Sequence, residues 1–375
     1  ESSTEQSAHI VPVCVRMEDS PQPHAKGRAE TSAAGRAVDA HMRSPGALYI
    51  FAAFMLPVWL IGTCAVALHV AILPLLTARW LLRRLLGPVA PPAALALDID
   101  VIEHAPAAGV PRDVVFLIHG FPDCPAMWDP TVRALVASGY RCLVASLPGA
   151  QGECMPTPRS PQQLAEALHT ALLRHEFGPV TLLTHDWGAA YGYLLAQSHP
   201  ESVHRVIALD IGGHFDPRAT PLLTLLSILE YQSFLALSYY MAEPAGGFLL
   251  RAMTKAWRYP SSLRTSAELT PDMAHHYAGA IRSEIARVFS GERKPAIDFA
   301  AKVPTLFLYA AHKPFLFHSR EWIMRVLASP GGDAVRMPCG HWITHDKPAE
   351  TELLIDRWLE ETEALLKPAR CAIER

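Results

Sequence analysis

The 375-residue chain is short of charge, and the charge it has nearly cancels: Asp, Glu, Lys and Arg make up 18% of it, with a formal net charge of -3. It has no broad basic field of the kind that draws proteins to nucleic acid, so nucleic acid is not expected as a partner. It also lacks any Cys-x-x-Cys pair or His/Cys cluster at ligand spacing, and its seven cysteines are scattered and odd in number. A disulfide framework and a zinc site are thereby set aside, and no metal or organic cofactor is expected. The first residue is Glu1 and not Met, which fits a chain whose start lies further upstream.

Apolar residues, by contrast, fill half of the sequence, enough for a large core plus accessory segments. Residues 1–45 mix Ser, Pro, Ala, Gly, His and charges without periodicity and read as a disordered tail. From Leu48 to Leu76 no Asp, Glu, Lys or Arg occurs, and Arg43 on one side and Arg79, Arg83 and Arg84 on the other bracket the run. That exceeds the roughly 20 apolar residues a spanning helix needs, and the internal Pro57 and Pro74 suit a tilted or kinked span. Residues 46–86 are therefore expected to be a single-pass anchor, with the bilayer as partner and the endoplasmic reticulum as one candidate compartment. A signal peptide would have a shorter apolar region, and a buried helix would be apolar along one stripe and not all round. Arginines on both flanks leave the orientation open.

After the Pro-rich stretch at 88–95, short β-rich runs alternate with amphipathic helical ones, the pattern of a mostly parallel sheet covered on both faces. The strands expected are Val114 to Ile118, Arg141 to Ala145, Val180 to Thr184, Val203 to Leu209, Thr305 to Tyr309 and Asp333 to Met337; helices are expected at 161–176, 188–198, 319–328 and 348–366. Between Asp216 and Lys302 the alternation gives way to helical, aromatic-rich segments. The simplest organisation is an α/β core in two parts, 95–215 and 303–375, with a helical cap at 216–302 over the strand ends, where open α/β sheets place their ligands.

The stretch Val180-Thr-Leu-Leu-Thr-His185-Asp186-Trp187-Gly188 runs from an apolar strand through Asp186 directly into a helix. Such a sharp turn lifts one side chain above the sheet and wants small residues two positions either side. Gly188 fits, while Thr184 is bulkier than a glycine. An aspartate there also suits the plainer role of capping the helix that follows.

Three motifs in order, His119-Gly120-Phe121-Pro122, His185-Asp186-Trp187-Gly188 and Gly340-His341-Trp342, make residues 95–365 resemble the α/β-hydrolase superfamily and, within it, the epoxide hydrolase and haloalkane dehalogenase branch. No Gly-x-Ser-x-Gly occurs, which disfavours a serine esterase of that fold. The resemblance implies an ester-forming aspartate nucleophile at Asp186. A carboxylate with a reference pKa of about 3.9 is ionised at neutral pH without help and can attack saturated carbon. Hydrolysis of the resulting ester needs a base, expected at His341 on the loop after the last strand. The His119-Gly120 turn is expected to bring the Phe121 amide beside that of Trp187 as an oxyanion hole, although a tight structural turn would look the same.

The chain departs from the family's pattern in several places. Where most epoxide hydrolases carry the third carboxylate, the chain reads Tyr309-Ala-Ala-His312-Lys313. Some dehalogenases place that acid after the strand following the elbow helix, where this chain has Asp210, 24 residues beyond Asp186; a structural aspartate is also common there, and Asp333 and Asp346 are weaker substitutes. Of the paired cap tyrosines the family uses, Tyr231, Tyr239, Tyr240, Tyr259 and Tyr277 are available, with Tyr240 and Tyr277 nominated. Trp187 and Ala190 stand where fluoroacetate dehalogenases have arginines. The expectation is a membrane-anchored epoxide hydrolase for small apolar or lipid-like epoxides. A dehalogenase-like enzyme, or a catalytically silent member that binds a lipid or a protein, is the alternative.

Overall fold

The computed structural model describes residues 97–373 apart from 177, 261, 292–296 and 315. The expected tail (1–45) and anchor (46–86) lie outside the described residues. Seven strands form one sheet: β1 (Asp100–His104), β2 (Val114–Ile118), β3 (Arg141–Ser146), β4 (Val180–His185), β5 (Val203–Leu209), β6 (Thr305–Ala310) and β7 (Asp333–Met337). Their order is β1-β3-β2-β4-β5-β6-β7, and every pairing is parallel except that of β1 with β3. The helices are α1 (Asp129–Ala137), α2 (Pro161–Leu173), α3 (Trp187–Ser198), α4 (Leu222–Met241), α5 (Ala245–Ala256), α6 (His275–Ser290), α7 (Arg320–Ala328), α8 (Ile343–Asp346) and α9 (Pro348–Ile373).

Central strands read as unbroken apolar runs because both their faces are covered: VVFLI in β2, VTLLTH in β4 and TLFLYA in β6 are almost wholly buried. Alternate residues feed two cores. Phe116 and Ile118 of β2 join Leu164, Leu182, Tyr191 and Trp322 on one face. Val115 and Leu117 join Trp128, Leu183, Ile343 and Trp358 on the other. β1 carries no such run; its DVIEH is mostly exposed, as suits an edge whose charges discourage pairing with other chains.

At the amino-terminal ends of the strands, buried Arg205 pins four elements together. It donates to Asp113 Oδ2 at 2.6 Å, Thr181 Oγ1 at 2.9 Å and the Leu359 carbonyl at 3.0 Å, joining β5 to the start of β2, to β4 and to α9. Burial raises the Asp113 carboxyl, but His204, Arg205 and Thr181 more than reverse this and bring it down to about 2. The sheet is thus locked at one end, leaving the other end for chemistry.

Between β5 and β6 lie α4, α5 and α6 with short 3-10 turns at 266–268 and 271–274. These helices build a third apolar cluster of their own, including Tyr231, Phe234, Leu250 and Tyr277, and it takes in Phe121 and Trp187 from the sheet's carboxyl edge. The helical layer is therefore seated on that edge by aromatic contacts. Among the described residues, one helix, α4, is long and apolar enough to cross a membrane by length and composition, with a mean hydropathy of 1.3. It is not the amino-terminal segment expected from the sequence, and it packs against α5 and α6 while Leu222, Leu223, Leu226 and Leu229 stay exposed.

Candidate active site

β4 ends at His185 and α3 starts at Trp187, leaving Asp186 alone at the junction with φ 53° and ψ -124°. A non-glycine residue held in so sparsely populated a region costs about 1–3 kcal/mol, which the packing around it must offset. The side chain makes no capping bond to α3. Its Oδ1 accepts from the Phe121 N–H at 2.9 Å, and its Oδ2 lies 3.3 Å from His341 Nε2.

Glycines make the approach feasible. A Cβ on Gly188 would sit 2.2 Å from the Ile118 carbonyl oxygen, and one on Gly120 would sit 2.4 Å from Asp186 Cβ, so neither position can carry a side chain. Thr184 fits because the room a glycine would leave at 184 is found on α3 instead: a Cβ on Gly192 would lie 2.8 Å from Thr184 Cγ2. The Thr184 hydroxyl donates to the Ile207 carbonyl at 3.2 Å.

Electrostatically the site is three charged side chains and a cation behind them. His341 Nδ1 is hydrogen-bonded to Asp210 Oδ2, and Asp210 is fully buried, with Oδ1 accepting from the Ala310 N–H at 3.0 Å. Lys313 Nζ donates to the same Asp210 oxygen. Burial pulls the His341 imidazole down, but the Asp210 charge and the hydrogen bonds to Asp186 and Asp210 prevail and hold it at about 9. That preference for imidazolium stabilises the fold fully below the ordinary 6.5 and is lost as pH rises through about 9. For Asp186 and Asp210, burial pushes the carboxyls up. The His341 contacts more than reverse this at Asp186, the Lys313 and His341 charges do so at Asp210, and both stay below the usual carboxylate range.

The other sequence candidates fall as follows. Asp333 sits at the start of β7 with Oδ1 on the Ala334 N–H, and Asp346 braces the histidine loop by accepting from the Gly340 N–H at 2.9 Å. Neither contacts the imidazole; Asp210 does. His119, expected with its turn among the oxyanion-hole and substrate-binding residues, spends its ring on the backbone: Nε2 accepts from the Leu147 N–H at 3.1 Å and Nδ1 donates to the Gly120 carbonyl at 2.9 Å. Burial pushes it down to about 4, so it is a neutral strut of the Gly120 turn. Tyr240 is 58% exposed on the outside of α4, where its ring packs on Tyr239, and it does not face Asp186. Tyr277 does: its ring meets Phe121 and Trp187 edge to face at 5.0 and 5.2 Å. Tyr231, passed over in favour of Tyr240, is the second tyrosine there, with its ring 6.1 Å from that of Tyr277. Burial, with a smaller push from the Asp186 charge, raises both phenols, so both keep their protons. Trp187 opens α3 with its ring between those of Tyr191 and Tyr277.

One participant had no role assigned from the sequence. His185, buried behind the histidine loop, donates through Nε2 to the His341 carbonyl at 3.0 Å, and its ring lies 4.6 Å from the His341 ring. Its Nδ1 is 3.3 Å from Asp123 of the turn after β2. Adjacency to Asp186 was the only hint in the sequence.

Compared with known families, residues 113–348 match the alpha/beta hydrolase fold. The chain belongs to the α/β-hydrolase fold family. Among curated proteins this α/β hydrolase is similar to bifunctional epoxide hydrolase 2 of Sus scrofa, 23% identical over 292 residues that cover 66% of this chain and 51% of that one. It is also similar to a haloalkane dehalogenase of Psychrobacter cryohalolentis, 29% identical over 113 residues, 28% of this chain and 37% of that one. The chain spans about half, or less, of the length of these relatives. A solved epoxide hydrolase from Vigna radiata shares the fold with a TM-score of 0.51 at 16% identity, over 70% of this chain and 94% of that one.

The packing of Thr184 on Gly192 in this α/β hydrolase has a measurable consequence. Gly192→Ala should lower stability by about 1–3 kcal/mol through overpacking, and Thr184→Ser, which removes Cγ2, should restore most of that loss. Denaturant unfolding of the two single variants and the double variant checks it; additive losses would mean that the two positions do not share the space.

Proposed function

We propose that this α/β hydrolase opens apolar epoxides through an ester on Asp186. One observation carries the reading: the Asp186 carboxylate has one oxygen on the Phe121 amide and the other facing His341, whose far nitrogen is on Asp210, and Tyr231 and Tyr277 share its environment. The oxygen not held by Phe121 attacks a ring carbon, the carbon–oxygen bond breaks, and a tyrosine hydroxyl gives its proton to the leaving alkoxide. The tyrosinate recovers its proton from the His341 imidazolium, and His341, thus made neutral, takes a proton from water while the hydroxide attacks the ester carbonyl carbon. The Phe121 and Trp187 amides steady the resulting oxyanion, and collapse releases a diol and restores Asp186.

Epoxides are favoured over alkyl halides by the two tyrosines. A leaving alkoxide needs a proton, whereas a halide needs only hydrogen-bond donors, and here the Trp187 indole is engaged with Tyr277. The apolar cluster around them, with Phe121, Phe234 and Leu235, suits a lipid-like substrate. A silent, binding-only protein would have no use for a half-buried carboxylate–imidazole–carboxylate set.

If the ester forms, His341→Gln should trap it. Mixing that variant with an apolar terminal epoxide should add the mass of the epoxide to the Asp186 peptide, and Tyr231→Phe/Tyr277→Phe should slow the addition at least 100-fold, in keeping with the size of general-acid effects. An adduct that forms as fast without the tyrosines, or with haloalkanes alone, would move the reading to the dehalogenase side.

Residues 46–86 are proposed to anchor the enzyme as a single-pass segment beside a bilayer in which such substrates dissolve. Full-length protein should stay with membranes through alkaline carbonate, and a form lacking residues 1–86 should not need them. Release of the full-length chain by carbonate would remove the anchor from the account.

A further inference from the structure

Lys313, on the turn after β6, reaches the very oxygen of Asp210 that receives His341 Nδ1. Its side chain is 7% exposed against a carboxylate that is fully buried, and its ammonium lies 5.1 Å from the centre of the Phe317 ring, which packs in turn on Tyr231. An ammonium enclosed between a carboxylate and an aromatic face is held in place on both sides. Orienting Asp210 does not by itself require a lysine, since the Ala310 amide already fixes the other oxygen.

We propose that Lys313 is a positioning residue that offsets the charge of Asp210, so that His341 sheds its proton once Asp186 has become an ester. This rests on the ester-forming reading of Asp186. The groups that face the imidazole are Asp186 from the elbow, Asp210 from the end of β5 with Lys313 behind it, and His185 from β4 with Asp123 beyond. On α8, directly after it in the chain, stand His345 and Asp346, the latter on the Gly340 amide, and Tyr231 and Tyr277 keep their protons. In the resting site two close carboxylates oppose one ammonium, and the imidazole holds its proton. Ester formation removes the Asp186 charge, after which one carboxylate and one ammonium nearly cancel. The imidazole then returns towards neutrality, the only form that can take a proton from water. With a neutral residue at 313, the undiminished charge of Asp210 would keep the imidazolium, and the base would stay blocked.

The test separates this charge balance from mere bracing. Asp186→Asn reproduces the lost charge of the ester without substrate, and His341 can be titrated in it by NMR. Adding Lys313→Met should raise the pH at which His341 titrates by at least one unit, a tenfold tighter hold on the proton; Lys313→Gln provides the same comparison should the methionine variant fail to fold. In the otherwise native enzyme, Lys313→Met should shift the pH limb of ester hydrolysis upward by a similar amount, while Lys313→Arg leaves it near the parent. An unmoved His341 titration, or hydrolysis slowed equally at every pH, would overturn the proposal and leave Lys313 a structural residue. Failure of His341→Gln to form any ester would refute the Asp186 reading instead, and the titration, which needs no substrate, is read independently of it.

Discussion

Everything at the carboxyl edge of this sheet depends on two carboxylates being held across one imidazole. Asp186 and Asp210 come from neighbouring strands, β4 and β5, and both sit at positive φ, 53° and 71°, where the chain leaves the sheet sharply. That shared geometry turns both side chains towards His341 between them. Left alone, two such close carboxylates would repel each other and one would take up a proton; with an imidazolium between them and Lys313 behind, both stay ionised. Because the pair and the imidazole titrate as a unit, changing any one member changes the proton affinity of the others.

The scaffold meets the cost of this arrangement away from the site. Asp186 is held in an unfavourable conformation by close backbone packing at Gly188 and Gly120, and that packing is firm because β2 and β4 are paired along their length. At the far end of the same strands the Arg205–Asp113 pair and the Thr181 hydroxyl prevent sliding. The helical layer completes the site from the other side. Its aromatic cluster, seated through Phe121 and Trp187, brings Tyr231 and Tyr277 into the field of the carboxylate.

The sequence was legible where a physical constraint leaves a continuous trace. Strands β2 to β6 are largely apolar because they are covered on both faces, whereas β7, DAVRM at the other edge of the sheet, is only half-buried; the expected limits of all six fall within a residue of those observed. β1 left no trace because an exposed edge strand has no apolar run to display. Helix ends were less clear: α2 stops at Leu173, not at 176, and α9 runs on to Ile373. In the site, Asp186 and His341 stood out through their neighbours in the chain. The choice between Tyr231 and Tyr240 did not, since α4 is apolar nearly all round and offers no stripe to say which side faces inward. The roles of His119 and Lys313 were also hidden, because each is defined by partners far away in sequence: Leu147 for one, Asp210 for the other.

The central claim is that water attacks an enzyme ester and not the substrate itself. Isotope placement decides this most directly. In a single turnover of excess enzyme with an apolar epoxide in oxygen-18 water, attack at the ester carbonyl carbon should leave label in the Asp186 side chain, found by mass spectrometry of the peptide that contains it, while the first diol carries none. Label in the diol and none in the Asp186 peptide would mean direct attack of water on the epoxide, and would contradict the account.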